Sequence, residues 1–211
     1  MRTCAWSGAV RYTGGMAPPS NSGEQGVLQL SFSALAEPPV PGAEGHILTR
    51  ALRDHPSRAK ILRMVRIALS YFPELEGTWL RIGLARGVHG YASLEEPAIW
   101  LNPRGLNYQT IAHELVHLLQ ARGLVPMGER SCDIFALARD RILVDAPPVY
   151  LEIPDALATP GGGLREGASY LLHKTAREAL RRRGEGERRY IRWFEKRVAE
   201  ATVQQAFAAK K

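Results

Sequence analysis

A chain of 211 residues with 45% hydrophobic and 23% charged side chains has an ordinary globular composition, which excludes wholesale disorder and a collagen-like repeat. Its two cysteines, Cys4 and Cys132, are too few to staple a secreted mini-protein. The net charge of +7 belongs to residues 174–211, where 12 Lys+Arg face 5 Asp+Glu; of the totals of 28 and 21, this leaves 16 of each sign in residues 1–173, so the basicity describes the tail and not the body.

In chain order, residues 13–26 are rich in Gly, Pro, Ser and Asn and read as a loop or leader. Arg2 is followed by no apolar run of signal-peptide kind, and no stretch approaches the ~18 uninterrupted apolar residues of a membrane span. With both thiols free, a reducing, cytoplasmic location is the expectation. Leu28, Leu30 and Phe32 alternate with polar residues, as in a half-buried strand. Ile61, Leu62, Val65, Ala68 and Leu69 recur at helical spacing between Pro56 and Pro73, which predicts a helix over 57–71. Residues 78–86 alternate and predict a strand. Residues 88–93 and 98–101 predict a hairpin across the turn-prone 94–97. A second helix runs from the cap Asn107 to about Arg122, ended by Gly123. A third opens with Pro126 as its first residue and carries Phe135, Ala138, Ile142 and Leu143 as its apolar stripe. Irregular chain rich in Pro and Gly follows to residue 163, and then two helices, 165–183 and 187–207, on either side of the Gly184–Gly186 break.

The second predicted helix holds His113-Glu114-Leu115-Val116-His117. Histidines four residues apart lie on one helix face, so both imidazoles can reach one ion, and the glutamate between them can hold a water on it. A third protein ligand is needed. The short H-E-x-x-H-x-x-G-x-x-H pattern fails, because Gln120 stands where its Gly should be and Gly123 where its third ligand should be. Glu129 and Asp133, four apart on one face of the next helix, are the candidates. If that helix returns antiparallel from Pro126, a rise of ~1.5 Å per residue puts Glu129 ~5 Å down it, level with His117, and Asp133 ~10–11 Å down, nearer His113. Glu129 therefore fits as third ligand. Asp133 fits as an acceptor behind a ligand histidine, fixing its tautomer. Cys132 reads as a buried thiol turned away from both carboxylates.

The H-E-x-x-H of 113–117 and the E-x-x-x-D of Glu129–Asp133 together resemble the two motifs of the gluzincin clan of zinc metallopeptidases, as in its minigluzincin-like and ImmA/IrrE-type members. The resemblance covers about residues 57–143. It departs from the clan in one respect: the eleven residues 118–128 between His117 and Glu129 make a shorter link than usual. The resemblance implies an α+β, zincin-like fold, with a helix before a small twisted sheet, the H-E-x-x-H helix, a following ligand helix, and C-terminal helices beyond. It implies Zn2+ held by His113, His117 and Glu129, and hydrolysis of peptide bonds in a peptide or protein substrate, with Glu114 as general base. In that clan an edge strand before the active helix pairs with the extended substrate. The matching segment is His89–Ser93, which makes Gly90, Tyr91 and Ala92 the implied substrate contacts. A donor for the developing oxyanion is also required, and His89, Tyr91, Tyr150, Tyr170 and His173 are open candidates.

On this reading the chain divides into a leader (1–45), a zincin-like metallopeptidase domain (46–163) and a basic helical extension (164–211). In the extension, Arg181–Arg183, Arg188, Arg189, Arg192, Lys196 and Arg197 interleave with Tyr190, Trp193 and Phe194. Basic and aromatic residues in that mixture can bind nucleic acid. Tyr190, Trp193, Phe194, Arg197 and Val198 also share helical spacing, and a packing stripe with a solvated basic face is the preferred reading. A zinc metallopeptidase thus competes with a zinc-binding regulatory or nucleic-acid-interacting protein that keeps the site without hydrolysis, and with a helical protein that binds no metal. No membrane partner is expected.

Overall fold

The computed structural model describes residues 46–208. The expected Leu28–Phe32 strand and Cys4 lie outside the described residues. The elements are β1 (His46–Leu48), α1 (Arg50–Arg53), α2 (Arg58–Leu69), β2 (Leu80–Leu84), β3 (Gly90–Ser93), β4 (Ala98–Leu101), α3 (Tyr108–Ala121), α4 (Glu129–Arg139), α5 (Ala168–Gly184) and α6 (Tyr190–Ala208). Short 3-10 turns lie between several of them. The fold class is α+β, and no described helix is long and apolar enough to cross a membrane.

The sheet has the order β1-β2-β4-β3. β1, β2 and β4 run parallel, and β3 pairs antiparallel with β4 through Gly90↔Leu101 to Ser93↔Ala98. The expected hairpin is therefore present, and among the described residues β3 is the sheet's edge on that side. On the inner face Ile82, Ile99 and Leu101 are fully buried. On the outer face Tyr91 stacks on Trp100, with ring centroids 4.7 Å apart. Gly83 lies opposite Trp100 in the ladder because a Cβ there would run into the indole ring.

α3 explains the layout. It buries Ile111, Ala112, Leu115, Val116, Leu118 and Leu119, and with them His113 and Glu114. A helix apolar on nearly every side belongs inside a core. It packs against α2, α4, β3 and β4. Both ends are built as its sequence implies. The Asn107 side chain accepts from the Thr110 N–H (2.7 Å), and the Asp145 carboxylate accepts from the Tyr108 and Gln109 N–H groups (2.9 and 3.0 Å), so three of the four open donors are satisfied. At the other end Gly123 takes φ +72°, and the N–H groups of Leu124 and Gly123 close back on the carbonyls of Leu119 and Gln120.

The third predicted helix differs from expectation at both ends. α4 begins at Glu129, not at Pro126. The carbonyls of Pro126 and Gly128 are turned onto the Gln120 amide instead, at 2.6 and 3.1 Å. The helix also stops at Arg139. Asp140 is extended and caps a separate turn, Arg141–Leu143, so Leu143 is buried but Ile142 is 47% exposed and off the stripe. Arg139 fastens this end by pairing with Glu74 (2.8 Å) over the Phe72 ring.

α5 packs on α4, and α6 packs on α5. Leu172, Ala176, Ala179, Phe194 and Val198 belong to the same buried cluster as α3. Tyr190 is buried as well, and Trp193 is half-buried beneath the Arg182 guanidinium. Tyr190, Trp193 and Phe194 are thus a packing stripe, although Arg197, expected on it, is exposed.

Candidate metal centre

Two adjacent helices place the chemistry. His113 and His117 sit one turn apart on α3, and their rings meet edge to face with centroids 4.9 Å apart. Glu129, the first residue of α4, extends its carboxylate across them. Its Oε2 lies 3.0 Å from His113 Nε2 and 3.3 Å from His117 Nε2. Tetrahedral zinc with ligand bonds of about 2.0–2.1 Å needs its ligand atoms about 3.3 Å apart. Both carboxylate-to-imidazole distances are therefore close to the separation that one such ion requires. Glu129 was expected level with His117 alone. It reaches both histidines because it opens the helix instead of lying within it.

The other nitrogen of each ring is held from behind. His113 Nδ1 is 2.7 Å from Asp133 Oδ1, and Asp133 Oδ2 accepts the Tyr150 N–H at 2.7 Å. Asp133 is 1% exposed. His117 Nδ1 is 2.9 Å from Gln120 Oε1. Because the Gln120 amide nitrogen donates to Pro126 and Gly128, its oxygen must face the ring, so His117 Nδ1 is the donor. With Nδ1 engaged from behind, each ring turns its Nε2 toward Glu129, the position from which it would bind an ion.

The electrostatics suit a cation. Burial opposes charge on His113, but the hydrogen bonds to Asp133 and Glu129 outweigh it and raise its pKa to about 9. The His113 hydrogen bond in turn holds the Glu129 carboxyl below its usual range. Burial lowers the pKa of His117, and the charge of His113 adds to this. Glu114 is 5% exposed, and burial pushes its carboxyl up to about 7. Its Oε2 is buried with no hydrogen-bond partner among the described residues. An unpaired buried carboxylate oxygen costs free energy unless something with a proton sits against it.

A second donor set shares the histidines. Atoms of His113, His117 and Cys132 lie within 4.8 Å of one another. Cys132 does not face away from the site, as had been expected from helical phase: its Sγ is 3.3 Å from His117 Nδ1. Three residues after Glu129, it stands on the same side of α4. That thiol, however, approaches the nitrogen already held by Gln120, and burial pushes its pKa up, away from the thiolate that metals bind. The Nε2 and Oε2 set requires neither change.

Of the five candidate oxyanion donors, Tyr150 stacks on His113, with ring centroids 5.5 Å apart. His173 bonds the Leu137 carbonyl, Tyr170 lies under Lys174, Tyr91 stacks on the outer sheet face, and His89 adjoins Gly105. The implied substrate contacts divide as well. His89 accepts from the Asn102 N–H at 2.9 Å, so the pair 89/102 is a hydrogen-bonded one. Such pairs alternate in an antiparallel ladder, which turns the main chain of Tyr91 toward β4 and the N–H and C=O groups of Gly90 and Ala92 toward the open edge. Gln120 escaped the sequence reading. Its signal was a buried polar residue three places after a ligand histidine, on the same face. Compared with known proteins, the chain matches no family model, no curated protein and no solved structure.

Proposed function

We propose that this protein is a zinc-dependent peptidase of the gluzincin kind. The observation that carries the reading is the convergence of His113 Nε2, His117 Nε2 and Glu129 Oε2 beside the unpaired, buried Glu114 Oε2. A structural zinc site has no use for such a base and closes its fourth position. A zinc ion, when bound there, supplies Lewis acidity and makes a water acidic near neutral pH.

The chain's own groups do the rest. His113, His117 and Glu129 bind the ion, while Asp133 and Gln120 keep both imidazoles in the Nε2-ligating tautomer. The free edge of β3 takes up an extended peptide through the main chain of Gly90 and Ala92, with affinity independent of substrate sequence. Glu114 takes a proton from the attacking water as its oxygen bonds to the peptide carbonyl carbon. It then gives that proton to the amide nitrogen as the C–N bond breaks. Tyr150 is the nearest candidate to hydrogen-bond the carbonyl oxygen as charge develops on it.

The test is zinc per chain by elemental analysis, together with hydrolysis of an unstructured protein substrate. Wild type is expected to hold about one zinc, and Glu129→Gln far less. Glu114→Gln is expected to keep its zinc and lose roughly 10²- to 10⁴-fold in hydrolysis. Failure of wild type to take up zinc, or equal hydrolysis by Glu114→Gln, would overturn the reading.

A further inference from the structure

We infer that Gly90 is a positioning residue for Glu114, its hydrogen keeping free the space in which the carboxylate stands. This rests on the peptidase reading and adds to it a role that the edge strand's main chain does not require.

Gly90 opens β3, packed against α3 at the level of Glu114. A Cβ built on Gly90 would lie 2.8 Å from Glu114 Oε1, 3.1 Å from Glu114 Cγ and 3.0 Å from the Trp100 carbonyl oxygen. The last contact is with backbone in the middle of a strand pair and has little freedom to give. The Glu114 carboxylate is the far end of a flexible side chain, so it is the group that moves. No unusual backbone accounts for the glycine, since Gly90 is not among the residues with positive φ. What it supplies is close approach. The same residue turns its N–H and C=O to the open edge, where an extended substrate would lie. The absent side chain therefore brings the base and the peptide plane together. A methyl group between them would push the base off its place while leaving His113, His117 and Glu129 untouched.

The experiment uses the full-length, zinc-loaded protein and compares wild type, Gly90→Ala, Glu114→Ala and the double variant. Displacing a reacting group by a fraction of an ångström to 1 Å costs up to about 100-fold. Gly90→Ala is therefore expected to lose roughly 10- to 100-fold in kcat, with KM changed little and zinc content unchanged. Its melting temperature is expected to fall by no more than roughly 2–4 °C. That fall is expected to shrink in the Glu114→Ala background, where the carboxylate is gone. Wild-type kcat in Gly90→Ala would overturn the inference, as would a loss confined to KM or a loss of zinc. If zinc-loaded wild type hydrolyses nothing, the peptidase reading fails by itself. The melting cycle then decides the contact, and equal shifts in both backgrounds would sink it.

Discussion

The α3–α4 pair and the α5–α6 pair both carry many ionisable side chains, and they handle them in opposite ways. In α3–α4 the two histidines are shielded and have dedicated partners: Asp133 behind His113, Gln120 behind His117, and the half-exposed Glu129 side chain across both. In α5–α6, apart from the shielded Glu195 that pairs with Arg130 of α4, the charges lie mostly at the surface and share partners along the helix. Glu178 pairs with Arg181 and Arg182, and Glu200 with Lys196 and Arg197. Exposed pairs of that kind contribute at most about 1 kcal/mol each and are screened by salt. Charge density is thus a poor guide to function here. The strongly basic hairpin is bonded to the body by Phe194, Val198 and Leu172, and the neutral body holds the unusual chemistry.

Substitutions that read burial separately from charge sharpen this contrast. The largest effect is expected in the hairpin's apolar side: Phe194→Ala, fully buried, should cost about 3–5 kcal/mol in denaturant unfolding. Next is Asp133→Asn. The carboxylate accepts from both the His113 ring and the Tyr150 N–H, and an amide would set its NH2 group against one of those donors. A 10- to 100-fold loss of zinc affinity, measured by competition with a chelator, is the expectation.

The third expectation is a sign. Against the opposing effect of burial, the hydrogen bonds to Asp133 and Glu129 raise the His113 pKa from an ordinary 6.5 to about 9, so its protonated form stabilises the metal-free protein fully below 6.5, and that contribution is lost as pH rises through about 9. Glu114, raised from 4.5 to about 7, has lost its own such contribution by then. From about pH 7 to about 9 the chelator-treated protein should therefore melt at falling temperature. Zinc competes with the same proton and binds more tightly over that window, so the loaded protein should show the opposite slope or none. Parallel slopes would contradict the assignment of His113 as a ligand. The smallest effect is expected from Arg188→Gln with Arg189→Gln, both exposed, which should change stability by no more than about 0.5 kcal/mol.

What could be read from the sequence was whatever depends on neighbours in the chain. The caps of α3 at Asn107 and Gly123, the one-turn spacing of His113 and His117, and the β3–β4 hairpin are local, and the fold contains them. The start of α4 is not local. Pro126 signals a helix start, but Gln120, six residues earlier, holds the Pro126 carbonyl, and α4 begins only after Gly128, whose carbonyl accepts its first helical bonds. The parallel pairing of β2 with β1 and β4 joins segments separated by helix and turn, and no periodicity encodes it. The placing of Tyr150 against His113 could not be read either, because it depends on the chain returning from Asp145, at the start of α3, to Asp133. Cys132 was misplaced for a simpler reason: three residues on a helix is a near neighbour, not an opposite face.

The open edge of β3 also bears on how the protein behaves at high concentration. An unpaired strand is a template for another copy's strand and hence a route to aggregation. Here it is only four residues long, begins with glycine, and runs into a turn carrying the exposed Glu95 and Glu96. Short length and adjacent negative charge are the means by which such edges are kept from self-association. The edge proposed to accept a passing peptide is thus kept poor at holding a second copy of itself.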